Sequence, residues 1–188
     1  MSLVLLRIIF LFIEILLLVG VIWYCVYLTM LLISQRSGIP FLATIRKSLP
    51  EIFSNLNLVK GSKFLELGCG DGIVTCTAVK DYGLIGKGVD INFILIIFAK
   101  LKAIKMGISD RTEFIRQDIC TTDFAWADVI YLYLLPRYIS SDKIKNKFTT
   151  EVKPGTIVIS HGFPIPYFDK RQIKLIPTKD YETYVYKI

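Results

Sequence analysis

Histidine is almost missing from this chain: His161 stands alone among 188 residues. The four cysteines, Cys25, Cys69, Cys76 and Cys120, show no C-x-x-C spacing. Neither set supplies the ligand pattern of a zinc site or the framework of a disulfide scaffold. No metal is therefore expected, and scattered thiols suit a reducing compartment. Acidic charge is scarce as well, with 16 Asp and Glu against 23 Lys and Arg, for a net charge of +7. The surplus is spread out, and no nucleic-acid-binding motif accompanies it. A basic face toward anionic lipid headgroups is the natural reading, with no nucleic acid as partner. Internal repeats and low-complexity tracts are absent too.

Charge of either sign is missing from one long stretch. Between Ile8 and Ile33 the only charged residue is Glu14, and ILLLVGVIWYCVYLTMLLI, from Ile15 to Ile33, has none. At ~1.5 Å per residue that run reaches ~28 Å, close to the ~30 Å hydrocarbon core of a bilayer. A cleaved signal peptide has a shorter apolar region followed by a small-x-small site, and SQRSGIP offers none. The run is read as one membrane-spanning helix with the bilayer as its partner. Arg7 stands on one flank, and Arg36, Arg46 and Lys47 crowd the other. The positive-inside rule then places the rest of the chain in the cytoplasm as a single-pass membrane protein. Glu14 lies two turns from Arg7 and is read as an interfacial residue that snorkels or pairs with it. Residues 1–37 form the anchor and juncture, and residues 38–188 the second domain.

Beyond the juncture, Ile45, Leu49, Ile52, Phe53 and Leu56 recur at helical spacing, with Pro50 opening or kinking the helix. The chain then alternates. KFLELGC, IGKGVDI, TEFIRQDI, ADVIYLYLLP and TIVISHGF read as strands, the fourth ended by Pro136. GIVTCTAVKDYG, FILIIFAKLKAIKMG and SSDKIKNKFTTEV read as intervening helices. PIPYFDKR is too short and proline-rich for a full helix. QIKLIPTKD and YETYVYKI lie nearly back to back, so they can pair only as an antiparallel hairpin. The expected fold is α/β: a Rossmann-like, doubly wound, seven-stranded sheet, mostly parallel, preceded by one transmembrane helix.

The chemistry sits after the first strand. Gly68, Gly70 and Gly72 give G-x-G-x-G between strand and helix. A dinucleotide fingerprint needs a glycine where this chain has Ile73, and no Gly-Lys-Ser/Thr follows for a Walker loop. Glu66 is a poor neighbour for pyrophosphate and a good one for a cation. That combination favours S-adenosylmethionine, a sulfonium with a free amine. Asp90 ends the second strand about 20 residues on, where a carboxylate accepts from both ribose hydroxyls. Asp118 ends the third, placed to accept from the adenine amino group, with Ile119 packing on the ring.

With those residues in view, the stretch from about Gly38 onward resembles the class I, seven-β-strand methyltransferases. Within them it is similar to the membrane-anchored lysine methyltransferases of the ATP synthase c-subunit and the adenine nucleotide translocase, and to their prokaryotic relatives. The resemblance rests on IPFLAT (Ile39 to Thr44), LELGCGDG, VDIN, RQDI, YLYLLP (Tyr131 to Pro136) and KPGTIVISHGFPIP (Lys153 to Pro166). It departs from the family pattern at Leu42 and Ala43, where that pattern has Val-Pro. The resemblance implies that Cys69, Asn92 and Leu135 join Glu66, the three glycines, Asp90, Asp118 and Ile119 around the cofactor. It also implies methylation of a lysine on a membrane protein, the alternative being a small-molecule or lipid substrate such as a quinone. Methyl transfer needs a deprotonated amine in a dry pocket, and aromatic faces hold the methylated cation. Tyr133, Phe163 and Tyr167 are the aromatic candidates, and His161 the candidate proton acceptor or pocket-shaping group. A nucleic-acid amino-methyltransferase fits less well, because the fourth strand does not end in Asn/Asp-Pro-Pro-aromatic.

Overall fold

The computed structural model describes residues 3–36, 46–179 and 181–188. The chain divides into two compact units, Met1–Pro40 and Phe41–Ile188. IPFLAT lies outside the described residues.

The first unit is one unbroken helix, α1 (Leu3–Arg36). Its stretch Leu3–Thr29 is long and apolar enough to cross a membrane, with a mean hydropathy of 2.8 and none of its apolar surface buried in the chain. That stretch starts earlier than the uncharged run and takes in Arg7 and Glu14. Trp23 and Tyr27, one turn apart, stack with centroids 6.1 Å apart.

The second unit opens with a 3-10 turn (Arg46–Ser48) and α2 (Leu49–Ser54). Pro50 falls in the first turn of α2, where its missing N–H leaves no helical acceptor unfilled, so it opens the helix and does not kink it. Next come β1 (Lys63–Leu67), α3 (Ile73–Tyr82), β2 (Ile85–Asp90), α4 (Phe93–Lys105), β3 (Thr112–Arg116) and β4 (Val129–Leu132). They are followed by α5 (Pro136–Ile139), α6 (Asp142–Thr150), β5 (Ile157–His161), β6 (Gln172–Pro177) and β7 (Glu182–Lys187). β4 ends at Leu132, earlier than the sequence implied. Pro136 does not stop that strand but starts the single turn of α5. PIPYFDKR becomes a 3-10 segment, Pro166–Arg171.

All seven strands form one sheet in the order β3-β2-β1-β4-β5-β7-β6. The first five are parallel, and β7 pairs antiparallel with both β5 and β6. Chain order reverses between β1 and β4, and ligands of such sheets bind outside the carboxyl ends there.

Alternation along the strands sends side chains to two layers. Phe64, Tyr131 and Ile159 point to the α2/α3 side, where they pack with Leu49, Ile52, Phe53 and Val74. Leu65, Ile130, Leu132 and Val158 point to the other side, onto Ile139, Ile144, Phe148 and Phe168. β2 has no side chain to offer α3 at two positions. A Cβ at Gly86 would lie 2.6 Å from Thr75 and Val79, and one at Gly88 2.7 Å from Phe114. Those two glycines let α3 and the Phe114 ring lie directly on the sheet.

Candidate functional site

The loop after β1 is held from three directions. Gly68 N–H and Cys69 N–H both donate to the Val89 carbonyl, each at 2.9 Å, and Gly72 N–H donates to the Cys69 carbonyl at 2.8 Å. Gly70 N–H donates to the Asp90 carboxylate at 2.9 Å. Asp71 pairs with Lys102 of α4. Gly68, Gly70 and Gly72 all have positive φ (76°, 52° and 73°), the left-handed region that side chains resist. Gly72 is doubly constrained, since a Cβ there would press 2.7 Å from Ala99 and from the Phe114 ring.

Glu66 is buried under the first turn of α3, where its carboxylate accepts from the Thr75 backbone N–H at 2.9 Å and from the Thr75 hydroxyl. Burial pushes its pKa up to about 8, against the pull of the two Thr75 hydrogen bonds. Glu66 thus anchors the helix that follows the glycine loop. The Cys69 thiol is buried and held well above its ordinary pKa by the same desolvation, so it stays protonated.

Asp90 spans two segments: one oxygen accepts from Gly70 N–H, the other from Asn92 N–H at 2.8 Å. Burial raises its pKa despite these donors. Asn92 is the N-cap of α4, its side-chain oxygen accepting from Ile94 N–H at 3.0 Å. Asp118 is exposed and caps the 3-10 turn Ile119–Thr121, accepting from Cys120 N–H at 2.8 Å, while Ile119 is buried beside it.

The fit to S-adenosylmethionine rests on this edge. At Gly68 a Cβ would meet only the Leu134 side chain, at 3.5 Å, so the bare backbone faces the segment after β4 across an open approach. Asp90 ends β2 and Asp118 follows two residues after β3, both at the carboxyl edge of the sheet, the complement of a cation with hydroxyl and amino donors. Leu135, half-buried, accepts from Tyr138 N–H as α5 begins.

Of the aromatic candidates, the structure brings some together and separates others. Tyr133 meets the buried His161 edge to face, with ring centroids 4.9 Å apart. A Cβ at Gly162 would lie 2.7 Å from the Tyr133 ring, so that glycine with φ 83° makes room for it. His161 Nδ1 lies 2.7 Å from the Thr183 hydroxyl on β7, the residue opposite it in the antiparallel pairing. Tyr181 completes the group, 5.8 Å from Tyr133 and 5.9 Å from His161. Sequence reasoning missed Tyr181 and Thr183, because only the β5–β7 register brings them to His161. Phe163 and Tyr167 instead pack against the other layer's core. Tyr167 donates its hydroxyl to the Ile139 carbonyl at 3.1 Å, and burial drives its pKa upward. Among the described residues, no group of three or more His, Cys, Asp or Glu is placed to hold a metal ion.

Comparison with known proteins places this arrangement. The ANTKMT methyltransferase domain matches residues 66–172, more than half of the chain. A protein-lysine N-methyltransferase of Saccharolobus islandicus (strain REY15A) is 29% identical over 136 residues, covering 72% of this chain and 83% of the relative. A lysine N-methyltransferase of Caenorhabditis elegans that acts on the ATP synthase c-subunit is 25% identical over 141 residues, 72% of each. Among solved structures, an RNA methyltransferase from Salinibacter ruber with bound S-adenosyl-L-homocysteine superposes with a TM-score of 0.72 at 25% identity. That match covers 78% of this chain and 94% of the other.

Proposed function

The chain belongs to the ANTKMT methyltransferase domain family, and on that premise we propose that it methylates the ε-amine of a lysine in a membrane protein. S-adenosylmethionine is its cofactor, as in the class I methyltransferases whose fold it has. When bound, it supplies a methyl group on a sulfonium, an electrophile that reacts in line with a nitrogen lone pair.

The observation that carries the lysine reading is the Tyr133–His161–Tyr181 cluster beside the segment that touches Gly68. Aromatic faces attract an ammonium or methylammonium group, and a partly dry setting lowers a lysine's pKa so that the free amine is within reach. His161, oriented through Nδ1 by Thr183, shapes that pocket and takes or relays the amine's proton. Tyr133 and Tyr181 hold the side chain in line, which in such transfers is most of the catalysis. Gly68, Gly70 and Gly72 let the backbone approach the cofactor, Asp90 and Asp118 orient its hydroxyls and adenine, and Cys69, Asn92, Ile119 and Leu135 line its berth. Phe163, whose ring packs in the opposite layer, is left out of the pocket and serves the fold there, its carbonyl accepting the Ser160 hydroxyl at 2.6 Å.

The kinship to lysine methyltransferases supports a protein substrate. α1, apolar enough to cross a bilayer, supports the membrane part of the reading, with the second unit on the cytoplasmic side. A tethered enzyme searches a thin layer, which raises its effective concentration toward targets in the same membrane. The test is transfer of radiolabelled methyl by the full chain in membrane extracts, separated into protein, lipid and nucleic-acid fractions. Label on lysine of an integral protein, located by mass spectrometry, is the expected result. Label confined to lipid or quinone points to the small-molecule alternative, and label confined to RNA refutes both.

A further inference from the structure

α4 has two apolar faces, and the fold uses one of them. Ile96, Ala99 and Ala103 are buried against the sheet and α3, and Leu95 is buried as well. On the opposite side Phe93, Ile97, Phe98, Leu101 and Ile104, with Ile91 just ahead of the helix, stand between 42% and 63% exposed. Their spacing runs 93, 97, 101, 104, one stripe of a helix surface. At roughly 150–200 Å² per side chain, half exposure of six leaves a patch on the order of 500 Å², the upper end of what monomer surfaces carry.

The charges around the stripe select its occupant. From Ile91 to Ser109 the chain has no acid and three lysines. Lys102 is engaged by Asp71, while Lys100 and Lys105 are exposed at the stripe's margins. Arg116 lies over the Phe93 ring, 5.9 Å from its centroid. A helix with large apolar residues outward, three lysines and no acid of its own has the make-up of one that lies in a lipid–water interface. The net charge of +7 adds a long-range pull toward an anionic surface.

We propose that α4 is a membrane-docking surface: it lies flat in the headgroup region of an anionic bilayer, with Lys100, Lys105 and Arg116 on phosphates. The stripe begins next to Asp90, at the carboxyl edge of the sheet. Docking along α4 therefore brings the cofactor edge to the level of the headgroups. This proposal stands on α4 alone and does not depend on α1 crossing the membrane.

The test uses the full chain with Cys25 and Cys120 changed to Ser, since Cys69 and Cys76 are buried. Single spin labels are placed at V19C in α1, L101C in α4 and K145C in α6. The chain is then mixed with vesicles of phosphatidylcholine and anionic phosphatidylglycerol. Expected is an oxygen-accessible, nickel-chelate-shielded label at L101C, and the reverse at K145C. Lys100→Gln with Lys105→Gln should shift the docked-to-free ratio roughly 25-fold, at about fivefold per lysine. A lipid-exposed V19C label with a water-exposed L101C label overturns α4 docking and leaves the α1 reading standing. An L101C label shielded from both oxygen and nickel, more so at higher protein concentration, assigns the stripe to a second copy and also overturns the proposal.

Discussion

Where β4 and β5 run out, both faces of the sheet are aromatic, yet they are built for different ends. On one face Tyr133, His161 and Tyr181 meet at 4.9–5.9 Å, and Tyr181 is 48% exposed. Buried Glu66 stands on the same face, under α3. On the other, Phe148, Phe168 and Tyr186 are at most 2% exposed, with Tyr167 laid over them and its hydroxyl spent on a carbonyl. The second group is core. The first is open to a ligand and carries the ionisable groups. Ring content alone does not mark a site; rings beside titratable groups and water do.

Substitutions can break this contrast. The largest effect is expected at Gly162→Val. It forces a branched side chain into φ 83° and against the Tyr133 ring, a strain plus overpacking cost on the order of 4 kcal/mol. Denaturant unfolding should show a stability loss of that order, with methyl transfer nearly abolished. Glu66→Gln comes next. The folded chain keeps the Glu66 proton to about pH 8, while an unfolded one releases it near 4.5. Between those values the native state binds more protons, so stability falls as pH rises. A neutral glutamine should remove about 4 kcal/mol of pH-dependent stability change across the window; an unchanged slope between pH 5 and 8 would mean Glu66 is ionised throughout.

Smaller effects separate the two faces directly. Tyr133→Ala should lower transfer to a lysine substrate roughly tenfold through lost cation–π contact, while cofactor affinity by calorimetry stays the same. Tyr167→Phe should do the opposite: about 1 kcal/mol of stability lost with the Ile139 hydrogen bond, and unchanged turnover. If Tyr167→Phe slows transfer as much as Tyr133→Ala does, the pocket lies on the other face.

Much of this was legible before any coordinates. The switch from period 2 to period 3.6 announced the strands and the helices α2, α3, α4 and α6 but not the single turn of α5, and the back-to-back runs after Arg171 could only be a hairpin. The glycine loop and Asp90 were readable because their spacing is local. Other features were not. Pro136 marked a strand end in the sequence and a helix start in the structure, since proline suits both. Tyr133, Phe163 and Tyr167 looked alike on paper, but strand parity and the Pro166–Arg171 turn send the last two to the opposite layer. Tyr181 and Thr183 join His161 only through a register between distant strands. The outward face of α4 read simply as helix, because periodicity does not say which side has a neighbour.

The sheet order has a consequence for the chain's birth. β7 emerges from the ribosome after the other six strands, yet it sits between β5 and β6 and not at an edge. Until it arrives, β5 exposes an unsatisfied ladder and β6 has no sheet partner at all. The 20 residues between β5 and β7, β6 among them, must therefore be kept from pairing with foreign strands until β7 arrives. His161 is at the end of that waiting strand, and it gains its Thr183 partner only when β7 is inserted. The aromatic pocket is thus completed by the same event that seals the sheet.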